Sequence, residues 1–168
     1  MDKPNSKLTK GFTLIEILVV VSIIAILAAL VLVSFSTPQK QANDTRRKND
    51  IRQYAALLKE YAANNEGFYP CRPTAASLSG AFCTSYLGLD SSECPTDPKE
   101  GTGSFGYNVS SGNVDGTACT GPGTPSAANY VLYAVIEAQA DSQYVVCSNG
   151  GAGIVTGTGS HSNGICPL

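Results

Sequence analysis

Tryptophan is absent, histidine and methionine occur once each, and charged residues make up only 14% of the chain. Each shortage excludes something. Nucleophilic catalysis by serine or cysteine needs a base, usually histidine, held beside it. The single His161 lies in a stretch rich in glycine and serine, where rigid placement is not expected. No two cysteines stand at C-x2-C spacing, which argues against a zinc–thiolate site. No Walker-type phosphate loop and no dinucleotide fingerprint follows a strand-like run. Asp97 and Glu100 could pair as acid and base, but acids in loops usually serve as soluble surface. From Gly67 onward only Arg72 and Lys99 are basic, too few to track a phosphate backbone. Neither an enzyme nor a direct nucleic-acid binder is expected.

What the chain does have is one long apolar run. From Ile17 to Phe35 only Ser22 and Ser34 are polar, and the run opens with Lys10-Gly11-Phe12-Thr13-Leu14-Ile15-Glu16. Residues 12–35 would form a helix about 36 Å long, enough to cross a ~30 Å hydrocarbon core with tilt. Lys3, Lys7 and Lys10 precede it, so the N-terminal flank is expected to stay cytoplasmic and the remainder to lie outside. Glu16 stands out because a carboxylate inside a span is costly and usually has a partner. A secretory signal peptide would have a shorter apolar core with small residues after it. Here the small residue, Gly11, comes before the run.

That arrangement, a basic leader, then Gly11-Phe12-Thr13-Leu14-Ile15-Glu16, then a long apolar helix, resembles the class III leader of type IV pilins and pseudopilins. The resemblance covers Lys10 to about Phe35. It implies that a prepilin peptidase cuts after Gly11, removing residues 1–11. It implies N-methylation of the new terminus, Phe12. It also implies that Glu16 pairs with the terminal amine of a neighbouring subunit during assembly. Physics agrees with the last point, since amine and carboxylate attract strongly in low dielectric and relieve each other's burial.

After the run the pattern changes. Ile51, Tyr54, Ala55, Leu58, Tyr61 and Ala62 recur at helical spacing, opposite Arg46, Arg47, Lys48, Arg52 and Lys59. An amphipathic helix over 36–66 is expected, kinked but continuous at Pro38, with Gly67 as a left-handed cap. The head, residues 67–168, should begin near Phe68-Tyr69-Pro70. Residues 71–104 read as loop. Strands are expected at Gly106-Tyr107-Asn108-Val109, at 129–136 and at 143–147, with a turn at Ser110-Ser111-Gly112-Asn113 and a hairpin connection at Ala140-Asp141-Ser142. Residues 148–164 read as a flexible tail or loop. The expected fold is α+β, a long N-terminal helix packed on a small antiparallel sheet of three or four strands and stapled by disulfides.

All six cysteines, Cys71, Cys83, Cys94, Cys119, Cys147 and Cys166, fall in the expected outside portion, which argues for disulfides in an oxidising compartment. Six allow 15 pairings, and spacing does not choose among them. The pilin resemblance points to Cys147 with Cys166. Cys71 with Cys83 or Cys94 is the expected staple after the helix.

Charge divides along the chain. Residues 36–66 carry six Lys/Arg (Lys40, Arg46, Arg47, Lys48, Arg52, Lys59) against Asp44, Asp50, Glu60 and Glu66, a net of +2. From Gly67 on, Arg72 and Lys99 face Asp90, Glu93, Asp97, Glu100, Asp115, Glu137 and Asp141, a net of −5. The basic helix could meet the acidic head of a staggered neighbour, face anionic lipid, or simply be solvated. The resemblance also raises calcium, which pseudopilin heads often bind. Asp90, Glu93, Asp97, Asp115 and Asp141 offer oxygen ligands, but no compact ligand run exists and no cofactor is assigned.

The expected function is a structural filament subunit, assembled by an inner-membrane platform with its ATPase. It would be a single-pass inner-membrane protein before assembly and part of an extracellular pilus, as a homo-oligomer, afterwards. The alternatives are a pseudopilin of type II secretion, in a periplasmic pseudopilus, or a minor or tip pilin serving adhesion or DNA uptake.

Overall fold

The computed structural model describes residues 11–32 and 36–168. The chain divides into two compact units, one ending at Gln39 and one running from Lys40 to Leu168.

In the first unit, α1 (Leu14–Leu32) is a single apolar helix of 19 residues. At 1.5 Å per residue that is about 28 Å. Among the described residues no helix is long and apolar enough to cross a membrane. The 24-residue span expected over 12–35 is therefore seen only in part, and residues 33–35 lie outside the described residues. So does the expected continuity of the two helices. Pro38 is helical within α2 (Ser36–Asn64).

In the second unit α2 buries Ile51, Tyr54, Ala55, Leu58 and Ala62, the face read from helical spacing, while Tyr61 is half-buried. The helix ends two residues earlier than expected. The Gly67 N–H donates to the Ala62 carbonyl (2.8 Å), the long-range bond of a Schellman motif. In that motif the left-handed position is Glu66, with φ of 57°, and Gly67 follows it at 88°. The cap expected at Gly67 is thus shared with a glutamate.

Five strands form an antiparallel sheet in the order β2-β3-β5-β6-β7: β2 (Ala76–Ser77), β3 (Tyr107–Gly112), β5 (Asn129–Val135), β6 (Ser142–Cys147) and β7 (Ala152–Thr156). A separate antiparallel pair joins β1 (Tyr69–Pro70) to β4 (Pro125–Ala127). A short helix, α3 (Ala81–Tyr86), lies in the segment expected to be loop. The turn expected at Ser110-Ser111-Gly112-Asn113 is instead the second half of β3, since Ser110, Ser111 and Gly112 pair with Val131, Tyr130 and Asn129. The β5–β6 hairpin forms as expected, with Asp141 at a φ of 49° in its connection.

The largest departure is the stretch 148–164. It holds a fifth strand, β7, paired with β6, and then returns along the sheet. The reason lies in β5. Tyr130, Leu132, Ala134 and Ile136 face the helix core with Tyr54 and Leu58. Val131 and Tyr133 face the other way and are also buried, with Val145, Cys147, Val155 and Cys166. A strand buried on both faces reads as a continuous apolar run, and the second face needs a cover. The C-terminal segment supplies it. Backbone meets backbone there: a Cβ placed on Gly164 would lie 2.7 Å from the Asn129 carbonyl oxygen, so only glycine fits.

Candidate assembly site

Thr13 and Glu16 build the start of α1. The Thr13 N–H and hydroxyl both donate to Glu16 Oε2, at 2.8 and 2.9 Å. The Glu16 N–H donates back to Thr13 Oγ1 at 3.3 Å. This reciprocal exchange is a capping box, with Thr13 as N-cap and Glu16 three residues on. It satisfies helix N–H groups that have no intrahelical partner, and it places a negative charge where the helix dipole favours one. The T-x-x-E spacing is the sequence signal for Thr13. Among the described residues nothing bonds the second oxygen of Glu16, Oε1.

The rest of α1 is an exposed apolar surface. Phe12 and Leu14 are each 85% exposed, and Ile15, Ile17, Leu18, Val19, Val20 and Val21 are exposed as well. A patch of this size needs lipid or another protein against it. Gly11 and Phe12 precede the helix and are exposed. The expected leader otherwise lies outside the described residues.

The six cysteines are all paired. Cys147 bonds Cys166, fastening the C-terminal segment to β6. Cys71 bonds Cys119, and Cys83 bonds Cys94. The staple expected from Cys71 to Cys83 or Cys94 is therefore not the one formed. Cys71 follows β1, and the β1–β4 pairing brings the loop carrying Cys119 beside it.

Arg47 corrects the charge reading. It is fully buried, not part of a solvated basic face. Its guanidinium takes Asp97 with two bonds, Nε to Oδ2 at 2.7 Å and Nη2 to Oδ1 at 2.9 Å. Nη1 reaches Asp44 at 2.9 Å and Glu137 at 2.8 Å. Lys99 pairs with the other oxygen of Glu137. Asp44 also accepts the N–H groups of Glu137 and Ala138, both at 2.8 Å. Burial alone would push the Glu137 carboxyl up, but hydrogen bonds from Lys99, Arg47 and Asn43 outweigh it and hold it below the usual range. Asp97 is thereby committed, which removes it as a calcium ligand or as an acid–base partner of Glu100. Among the described residues no group of acids, histidine and cysteine is arranged to hold a metal.

His161, expected in a flexible stretch, makes specific side-chain contacts. Its ring stands edge-on to Tyr133 at 4.7 Å, and Nε2 lies 3.0 Å from Gln143 Oε1. Burial lowers its pKa below the ordinary histidine value.

A family model described as the prokaryotic N-terminal methylation motif matches residues 6–32. The type IV major alpha-pilin of Moraxella bovis is 34% identical over 118 residues, covering 70% of this chain and 67% of that protein. The chain belongs to the type IV pilin and pseudopilin family. Two further relatives match over a shorter length. The type IV wide pilus major component of Thermus thermophilus is 58% identical over 59 residues, 35% of this chain and 45% of that protein. The type II secretion system core protein G of Pseudomonas aeruginosa is 51% identical over 55 residues, 33% of this chain and 39% of that protein. The chain thus spans less than half the length of these two relatives. No solved structure matches. The chain itself has an α+β fold with an N-terminal helix, an antiparallel sheet and disulfides.

Proposed function

We propose that this chain is a structural subunit of a type IV pilus-like filament, assembled through α1. The observation that carries the reading is the exposed apolar surface from Phe12 onward, headed by a carboxylate of which only one oxygen, Oε2, is bonded among the described residues. Such a surface is stable in lipid and equally stable against copies of itself, so one helix serves as anchor and as filament core. The described helix falls short of a span, but the apolar sequence continues to Phe35. The proposed organisation is a leader (1–11), an anchor and assembly helix (12–35), an amphipathic helix (36–66) and a head (67–168).

In this reading prepilin peptidase cuts after Gly11 and the Phe12 amine is methylated. Glu16 keeps Oε2 on its cap and offers Oε1 to the terminal amine of a neighbour. An inner-membrane platform and its ATPase would move the subunit from bilayer to filament. A surface pilus is favoured over a periplasmic pseudopilus, because the likeness to a major pilin extends over 118 residues and that to the pseudopilin over 55.

Peptide mass spectrometry of sheared surface material and of membranes tests this. An N-methylated peptide beginning at Phe12 in the sheared fraction is the expected result. The same peptide confined to membranes would favour the pseudopilin. An uncut leader in both fractions would sink the proposal.

A further inference from the structure

Two charged features of the head unit have no partner of opposite charge among the described residues, and they are complementary. The first is on α2. Lys48 Nζ lies 5.9 Å from the centre of the Tyr144 ring and the Arg52 guanidinium 5.6 Å from it, so both cations stand against one aromatic side chain. Arg52 Nε also donates to the Tyr144 hydroxyl at 3.1 Å. Among the described residues neither cation is salt-bridged, whereas Arg46, Arg47 and Lys99 all are. Like charges four residues apart on a helix repel, and among the described residues no carboxylate is salt-bridged to either member of this pair.

The second feature is the turn from Asp90 to Glu93. Both side chains are exposed. The Glu93 N–H donates to the Asp90 carbonyl at 2.9 Å, and the Asp90 N–H reaches Glu93 Oε2 at 3.3 Å. Cys94 follows at once and is bonded to Cys83 on α3, so the turn is held in place. Among the described residues no lysine or arginine pairs with either acid.

We infer that the Lys48–Arg52 pair on α2 receives the Asp90–Glu93 turn of a second copy of this chain. The inference rests on the filament reading and names one of its contacts. Two different surfaces of one molecule carry opposite charge, a pair four residues apart on a helix and a pair three residues apart in a turn. A contact between unlike surfaces is head-to-tail, and repetition of such a contact gives an open helical assembly when the rotation does not close. Complementary charge sets the register and speeds encounter more than it adds affinity. Tyr144 lies against both cations, of which Arg52 is exposed and Lys48 half-exposed.

Charge swaps in the full chain, expressed in cells and read as sheared filament per cell, test the contact. K48E/R52E and D90K/E93K are each expected to lower filament yield by about tenfold or more, because like charges then face each other. The four substitutions combined are expected to restore it. Full yield from either double variant would overturn the inference, as would failure of the combination to rescue when all three disulfides are intact by mass. The milder K48Q/R52Q pair guards against loss of folding and should lower the yield while making it less sensitive to salt than in the parent. Carbodiimide cross-linking of mixed isotope-labelled and unlabelled subunits gives a second readout, in filaments or in membranes. A Lys48 peptide joined to an Asp90 or Glu93 peptide of the other label is expected. Its absence, with other mixed-label cross-links present, would overturn the contact. If the unaltered chain makes no filament at all, the filament reading fails, and the membrane cross-link still decides whether the two surfaces dock.

Discussion

Arg47 and Asp97 are joined across 50 residues of sequence by two parallel hydrogen bonds, with neither side chain reached by solvent. A planar guanidinium matches a carboxylate in just this way. The pair ties α2 to the loop that follows Cys94, and Glu137 and Asp44 extend the tie to the β5–β6 connection. Removing one member strands the others, which is the costly event. Arg47→Ala is expected to destabilise the head by about 3–5 kcal/mol. Arg47→Lys should recover only part of that, because an ammonium cannot grip two oxygens in parallel. Chemical denaturation of the detergent-solubilised chain, followed by tyrosine fluorescence, measures both.

Acid should loosen the same cluster. The Glu137 carboxyl is held below its usual pKa in the folded chain, so the unfolded chain binds its proton first as pH falls. Its contribution is complete above the ordinary glutamate value of 4.5 and disappears as pH drops through and below it. Glu137→Gln should lower stability at pH 7 and flatten the stability profile between about pH 5 and 3. A variant whose acid limb matches the parent's would contradict this.

His161 behaves in the same sense nearer neutrality. Burial lowers its pKa, so protonation favours the unfolded chain. Its effect is absent well above the ordinary value of 6.5, and stability declines as pH falls through that value. His161→Gln should remove this slope between about pH 7 and 5 while keeping a polar group beside Gln143. Thermal unfolding across that range measures it.

The three disulfides should differ in worth because they close loops of different length. Cys71–Cys119 spans 48 residues, Cys147–Cys166 spans 19 and Cys83–Cys94 spans 11. Loop entropy predicts about 4 kcal/mol for the first and about 3 for each of the others. Paired Cys→Ser replacements should lower the melting temperature most for Cys71 with Cys119. Hydrogen exchange would add a local view. Loss of Cys147–Cys166 is expected to expose the amides of β7 first, because β7 has a neighbour on one side only.

The N-terminal cap makes a separate prediction. Thr13→Val keeps the shape of the side chain but removes the hydroxyl that bonds Glu16. It should weaken the first turn of α1 by about 1 kcal/mol. Faster amide exchange at Leu14 to Ile17 in micelles, with no change in the head, is the expected outcome.

The sequence made the apolar face of α2 and strands β5 and β6 readable because their residues follow helical spacing or a β-branched run. It made Glu16 readable because a charge in an apolar run has few reasons to be there. It did not make β7 readable, since Ala152-Gly153-Ile154-Val155-Thr156 is flanked by glycines and gains its strand only by pairing with β6. Nor did it mark Arg47, which has one partner, Asp44, three residues away but owes its burial to two others 50 and 90 residues away. The clue was in β5. Its apolar residues do not alternate, which requires cover on two faces, and only the stretch after Cys147 was left to provide it. Cys71–Cys119 depended on the two-residue pairing of β1 with β4, too short to leave a pattern.

The ties of the head all close forward along the chain, and this sets an order in time. Synthesis proceeds from the N-terminus, so α1 exists before anything that α2 will pack against. Arg47 has no complete set of partners until Glu137 has been made, Cys71 waits for Cys119, and the far side of β5 stays bare until Cys166 arrives. Each newly made copy therefore passes through an interval with a finished assembly helix and an unfinished head. A copy that stops short of Cys166 keeps its apolar N-terminal helix but lacks the tie that fastens the C-terminal segment to β6.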